Sequence, residues 1–283
     1  MALRDHLAKL PFRPFGTPAP VVAVLRLEGV IGRAGSLRRG LNLAAMAEHI
    51  ERAFSLRHLK AVALSVNSPG GSPVQSTLIH KRIRALAAEK EVPVIAFAED
   101  VAASGGYWLA CAGDEIFADE SSLVGSIGVV YAAFGFPEML QRIGVERRVH
   151  TAGRRKASLD PFRPEDPKDV KHLTAMQKDI HESFQSLVRT ARGERLKGKE
   201  TELFSGEVWT GKQALDLGLV DGIGDLRAVM RERYGEDVKL RPVGPDKKAL
   251  FRRFGLRAPQ PVDWAAEVMG AVEERLMWNR FGL

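Results

Sequence analysis

AVALSVNSPGGSPVQ, from Ala61 to Gln75, is the stretch whose reading decides the fold. Ala61–Val66 is continuously apolar, as in a strand buried on both faces, and it runs into a paired-glycine turn. Ser72 then sits ahead of Pro73, with Gln75 three residues on: a cap, a proline at the first helical position and a capping-box partner. Leu78, Ile79, Ile83 and Leu86 carry that helix to about Lys90, and Pro93–Ala98 reads as the next strand. Strand, glycine turn, helix and strand at these spacings make a βαβ unit, hence a largely parallel α/β core.

Working outward, the same alternation repeats. VVAVLRLEGVIG (21–32) predicts a strand ending in a glycine turn, and Leu43, Met46, Ala47 and Ile50 predict a helix over Asn42–Leu56. Downstream, Ser104–Ala112 reads as a helix of small and apolar residues closed by Gly113, and Ile116–Ala118 as a short strand. A glycine turn at Val124–Gly128, a helix at Phe136–Ile143 and a basic loop at Arg147–Arg163 follow. Asp166-Pro167 opens a long helix with Val170, Leu173, Ile180, Phe184, Leu187 and Ala191 on one face. Thr210-Gly211-Lys212-Gln213 is a second capping-box pattern, starting a helix that stops at Gly218.

Residues 1–20 read as a tail, with Leu3, Leu7 and Leu10 at helical spacing before Pro11, Pro14, Pro18 and Pro20. Residues 21–240 read as one core domain. Residues 241–283 form a basic, proline-rich linker with Lys247, Lys248, Arg252 and Arg253. An amphipathic helix over Val262–Leu283 follows, with Ala265, Val268, Met269, Val272 and Leu276 as its stripe.

Composition excludes several function classes. The 283 residues are 45% hydrophobic and 27% charged with mixed signs, so the chain has material for a core and is not a disordered tail. A net charge of +7 is a modest excess for this length; no nucleic-acid partner is expected. The single cysteine, Cys111, excludes internal disulfides and multi-cysteine metal centres; neither a metal nor another cofactor is expected. No stretch approaches the ~18 apolar residues that span a bilayer, and Met1–Pro20 has no continuous apolar region of a secretory signal. A cytoplasmic protein is expected. The basic residues of both tails, Arg4, Lys9 and Arg13 among them, suggest weak peripheral contact with the inner face of a membrane.

Two turns carry candidate chemistry. Asn67-Ser68-Pro69-Gly70-Gly71-Ser72 joins a strand end to a helix start, where paired glycines let backbone N–H groups approach a ligand oxygen. It is not a Walker loop, because no Gly-Lys-Ser/Thr follows. Ala103-Ser104-Gly105-Gly106 places a serine at a helix start between small residues, where it serves either as an ordinary N-cap or as a nucleophile. A nucleophile needs a base. Of the seven histidines none lies in a glycine-rich turn; His172 and His181 read as residues of a polar helix face, and His150 stays open. Lys156, in Thr151-Ala-Gly-Arg-Arg-Lys, is the other candidate.

Taken together, VNSPGG (66–71), AASGGYW (102–108), GSIGV (125–129), TAGRRK (151–156) and EVWTGKQALDLGLVD (207–221) resemble the S49 peptidase family, the signal-peptide-peptidase-A-like serine proteases. The five blocks occur in that family's order between Val21 and about Leu226. The resemblance implies a Clp-protease/crotonase-like fold of stacked βαβ units assembled as a homo-oligomer. It implies Ser104 as nucleophile, Lys156 as general base and Ser126 as the hydroxyl orienting the lysine. Gly71, with Gly70, and the amide of Gly105 would form the oxyanion hole. The expected activity is hydrolysis of short, unfolded or signal-peptide-like peptides through an acyl-enzyme. Relative to common members, one catalytic copy, no N-terminal membrane anchor and an added C-terminal helix are expected. Two other readings fit less of the pattern: a crotonase-type acyl-CoA enzyme, which needs no serine–lysine pair, and a catalytically silent ring-forming scaffold.

Overall fold

The computed structural model describes residues 18–32, 40–244 and 264–282. The Leu3/Leu7/Leu10 stripe, the basic residues of both tails and the side chains of Ala265, Val268 and Met269 lie outside the described residues. The sheet contains β1 (Val21–Glu28), β2 (Leu59–Ser68), β3 (Val94–Ala103), β4 (Glu115–Ala118) and β5 (Leu123–Gly125). It is completed by β6 (Val208–Thr210), β7 (Gly222–Ile223) and β8 (Lys239–Val243). Its main path runs β6-β5-β3-β2-β1-β8, and every pairing is parallel except β5 with β6.

The helices are α1 (Leu43–Phe54), α2 (Pro73–Lys90), α3 (Gly105–Ala110), α4 (Pro137–Arg142) and α5 (Pro167–Arg192). Beyond them come α6 (Glu200–Leu203), α7 (Gly211–Asp216), α8 (Leu226–Tyr234) and α9 (Trp264–Asn279). Strand alternation splits the core between the two faces of the sheet. Ala23, Leu25 and Leu27 face the main core with Ile79, Ile83 and Leu109. Val22 and Val24 face a smaller cluster with Val229 and Met230 of α8. No described helix is long and apolar enough to cross a membrane.

One departure from the sequence reading positions the site. The third strand extends from Val94 to Ala103 rather than ending at Ala98, and it forks the sheet. Its first half pairs with β4 (Ile95–Ala98 against Glu115–Ala118), its last three residues with β5 (Val101–Ala103 against Leu123–Gly125). The exposed pair Glu99-Asp100 hides this continuity in the sequence. Side chains of β2 bridge the irregularity: Ser65 Oγ donates to Glu99 Oε1 at 2.6 Å, Asn67 Nδ2 donates to Asp100 Oδ2 at 2.8 Å, and Asn67 Oδ1 accepts from the Val101 amide at 3.2 Å.

The helix starts follow local chemistry. Thr210 and Gln213 form a complete capping box. At α2 the box is only half made. Ser72 Oγ accepts from the Gln75 amide, but Gln75 Oε1 accepts from the Leu43 amide at 2.9 Å and so joins the starts of α1 and α2. The strand β8 continues to Val243, beyond the expected end of the core at 240.

Candidate active site

Ser104 and Ser126 each follow the last residue of a strand, and those strands are neighbours. β3 and β5 are parallel with Ala103 opposite Gly125, so the two serines leave the same end of the sheet in register. Both have φ of 52°, in the left-handed region that a β-carbon disfavours. Backbone bonds hold them there. The Ser104 amide donates to Gly125 O at 2.7 Å, and the Ser126 amide donates to Glu207 O at 2.6 Å. Ser126 is buried; Ser104 is half-buried.

Ser104 does not behave as an ordinary cap. Asn42, Ser72, Asp166, Thr210 and Asp225 each accept a backbone N–H of the helix they begin. Ser104 makes no such side-chain bond, and its ψ of −122° turns the residue away from the helix. The helix behind it is fixed instead by burial. Tyr107 Oη donates to Leu219 O at 2.7 Å, and Trp108 stacks on Phe184 with ring centroids 4.7 Å apart. The helix spans Gly105–Ala110 rather than Ser104–Ala112, because Ser104 lies outside it and the chain turns at Cys111.

The VNSPGG turn lies directly against this serine. A β-carbon on Gly70 would stand 2.8 Å from Ser104 Cβ and 2.9 Å from the Gly105 nitrogen. A β-carbon on Gly71 would lie 2.1 Å from Ile31 O, which accepts from the Ser72 amide on the other side of a one-residue bridge. A β-carbon on Gly105 would meet Ser76 Oγ at 2.6 Å, Ile31 Cδ1 at 3.0 Å and the Gly71 nitrogen at 3.3 Å, so the two glycine turns pack directly on each other beside Ser104. The amide of Gly70 donates to Ser68 Oγ at 3.2 Å, and Ser68 Oγ in turn donates to Gly29 O at 2.7 Å.

Lys156 sits elsewhere in character. Its residue is exposed in a turn where its amide donates to Gly153 O at 3.2 Å, and its ammonium is hydrogen-bonded neither to Ser104 nor to Ser126. Arg154 and Arg155 beside it are exposed too. The loop is held at its far end by Asp160, whose buried carboxylate accepts from the Phe162 amide at 3.1 Å and pairs with Arg147. The Phe162 hydrogen bond first, then Arg147, holds that carboxyl below the usual range. The segment leading into the loop is unusually apolar for a surface: Val130, Tyr131, Phe134, Met139, Ile143 and Val145 are all exposed.

Three residues beside the site were not legible as such. His181 reads as part of a polar helix face, yet its Nε2 donates to Ile127 O at 3.0 Å, one residue from Ser126. Gln185, one turn on, places its amide nitrogen 3.3 Å from His181 Nδ1, while its Oε1 accepts from Arg189 Nη2 at 3.1 Å. Arg189 is anchored by Glu200 at 2.7 and 2.9 Å and lies 4.8 Å over the Phe204 ring. The i, i+4, i+8 spacing on α5 was visible; that this face meets the 126–128 turn was not. His150 is exposed.

Comparison with known proteins fixes the family. The model of peptidase family S49 matches residues 87–240, which include Ser104, Ser126 and Lys156.

The chain belongs to peptidase family S49.

The chloroplastic serine protease SPPA of Arabidopsis thaliana is 34% identical over 77% of this chain and 33% of its own. The putative protease slr0021 of a Synechocystis species is 31% identical over 79% of this chain and 80% of its own. A Brucella abortus protein described as the Na(+)/H(+) antiporter NhaA is 49% identical along the whole of this chain, which spans 40% of that protein's length. The sheet, parallel but for one strand pair and connected through helices, is the largely parallel α/β core that the sequence alternation predicts.

Proposed function

We propose that this S49 chain is a serine peptidase in which Ser104 is the nucleophile and Lys156 the general base. The observation that carries this reading is Ser104 itself: a serine in the left-handed region, uncapped, packed against Gly70-Gly71 at the start of a buried helix. Backbone strain of this kind costs about 1–3 kcal/mol and persists where surrounding structure enforces it. Here it aims Oγ away from the helix amide it would otherwise cap.

In the proposed reaction Oγ attacks the scissile carbonyl while the neutral Lys156 amine takes its proton. The carbonyl oxygen becomes an oxyanion bordered by the amides of Gly71 and Gly105; Gly70 is not a donor in this scheme, since its N–H is engaged by Ser68. The lysine then hands its proton to the leaving amine, and water repeats the sequence on the acyl-enzyme. Ser126 holds the lysine amine between the two halves of the reaction.

A lysine works as a base only after burial or neighbouring positive charge brings its pKa down toward neutrality. Lys156 is exposed in a single chain, and the apolar segment 130–145 that precedes it is exposed as well. We therefore take the working site to form in a homo-oligomer, where a neighbouring copy covers that segment and Lys156 is withdrawn from water beside the serine of the adjoining copy. Peptides that are short or unfolded, of signal-peptide-like character, are the proposed substrates.

The test pairs two inactive variants. Ser104→Ala and Lys156→Ala should each abolish peptide cleavage, and mixed oligomers refolded from both should recover part of it. Wild-type turnover by Lys156→Ala would overturn the base assignment. Dead mixed oligomers, with both single variants inactive, would overturn the supply of lysine by a neighbour.

A further inference from the structure

At the amino-terminal end of the sheet, opposite the end from which Ser104 leaves, a cavity of about 480 Å³ opens between α1 and the edge strand β8. Among the described residues, its lining includes Arg52, Arg57, Lys239 and Arg241 and no carboxylate. Lys239 and Arg241 are two apart on β8, paired with Val21 and Ala23 of β1, and so project from one face. Leu240 between them packs on the opposite side, against the Val22–Met230 cluster. Arg52 lies in the last turn of α1 and Arg57 in the turn that follows it.

Neutralisation separates this cavity from the other basic one. Between α2, α3 and α5 a cavity of about 510 Å³ is lined by Arg84 and Arg195, but each has a carboxylate within reach: Asp114 at 2.8 Å and Asp221 at 3.2 Å. Among the described residues, none of the four cations of the β8 cavity has an ion pair, and Arg52 alone is engaged, donating to Gly244 O at 3.0 Å. The end of α1 accounts for one positive charge, since carbonyls converge there. It does not account for Lys239 and Arg241, which come from a different element.

We propose that this cavity binds a phosphomonoester. Arginine forks match tetrahedral oxyanions bidentately, and a group carrying nearly two negative charges neutralises such a cluster better than a single carboxylate does. The same tetrahedral chemistry is offered by a lipid headgroup and by a soluble phosphate, and presenting phosphate on a vesicle or free in solution tells the two sources apart.

The test uses the full chain, with inorganic phosphate titrated calorimetrically at low salt and with flotation on phosphatidylcholine vesicles with and without phosphatidic acid. Arg57→Gln/Arg241→Gln is compared with Lys171→Gln/Lys178→Gln, an equal loss of charge on α5. The cavity variant should lose about tenfold in phosphate affinity or in partition onto phosphatidic acid vesicles, while the α5 variant stays close to wild type. Loss in both arms assigns a lipid headgroup, and loss confined to the phosphate titration assigns a soluble ligand. Thermal melting should show the cavity variant at or above wild-type stability, since like charges have been removed, and peptide cleavage should be unchanged in both variants. No measurable phosphate binding by the wild type, with the two variants floating equally, would overturn the proposal. That result would leave the Ser104 reading standing.

Discussion

His181→Leu is the perturbation that most sharply separates a positioned Ser126 from a merely buried one. In the wild type the imidazole donates Nε2–H to Ile127 O, in a residue that is fully buried. Gln185 lies beside the ring, its amide nitrogen 3.2 Å from Nε2 and 3.3 Å from Nδ1, while Arg189 occupies its amide oxygen. Leucine fills the space but cannot donate, and a buried carbonyl left without its partner costs about 1–3 kcal/mol. That carbonyl belongs to the 127–128 peptide, whose Gly128 amide donates to Ser126 O at 2.9 Å, so the cheapest relaxation, rotation of this peptide, pulls on a serine already at φ of 52°. If the whole cost appears at the transition state, kcat/KM falls by about five- to a hundredfold, at ~1.4 kcal/mol per tenfold. The fall should appear in kcat with KM little changed, because peptide binding does not use this bond. His181→Gln, which carries an N–H near the same position, should restore most of the rate. Steady-state cleavage of a fluorogenic peptide, with urea unfolding of each variant, makes the measurement. A loss of 1–3 kcal/mol in stability with unchanged kcat would refute the reasoning and leave His181 a structural residue only.

Three further outcomes follow from the same structure. Arg192 is buried and forks onto Asp221 at 2.6 and 2.9 Å, so Asp221→Asn, which strands the guanidinium, should cost about 3–5 kcal/mol in urea unfolding, whereas Arg192→Met/Asp221→Leu should recover most of it. Burial brings the His80 imidazole down to about 4 from 6.5. The unfolded chain therefore binds the extra proton first: stability is full above pH ~6.5 and declines as pH falls toward ~4, by up to about 3 kcal/mol, and His80→Gln should flatten that slope in urea titrations across the window. Gly71→Ala would place its β-carbon 2.1 Å from a backbone oxygen at a φ of 139°, so cleavage should fall at least tenfold. Gly153→Ala, also at positive φ but in open space, should cost only the ~1 kcal/mol of strain and little activity.

Much of this architecture is legible in the chain because local signals and burial agree. Pro73 and Pro167 mark helix starts where helices begin, and the apolar runs at 21–27 and 61–66 are strands. What escapes is whatever depends on partners distant in sequence. β3 continues through Glu99-Asp100 because Ser65 and Asn67 of the neighbouring strand accommodate its irregularity. The strands β5–β8 are two to five residues long, too short for a period to show. At the site, Ser104, Gly71 and Gly105 stand out through their glycine-rich turns and Ser126 only through the family resemblance, and the structure brings all four to one end of the sheet. Gly70 could not be told from Gly71 by residue type; the Ser68 hydroxyl separates them. His181 was passed over because nothing local distinguishes a solvated helical histidine from one reaching a carbonyl 54 residues away. Lys156, the base that the resemblance implies, is exposed, since the burial that a basic amine needs is not supplied by its own turn.

The central claim is that Ser104 is a nucleophile and not a cap. Its most direct test is to treat the full chain with a fluorophosphonate probe and map the adduct by peptide mass spectrometry. The account predicts a single modified residue, Ser104, with labelling lost in Ser104→Ala and slowed in Lys156→Ala. A label on Ser126 or elsewhere, or undiminished labelling of Ser104→Ala, would contradict it.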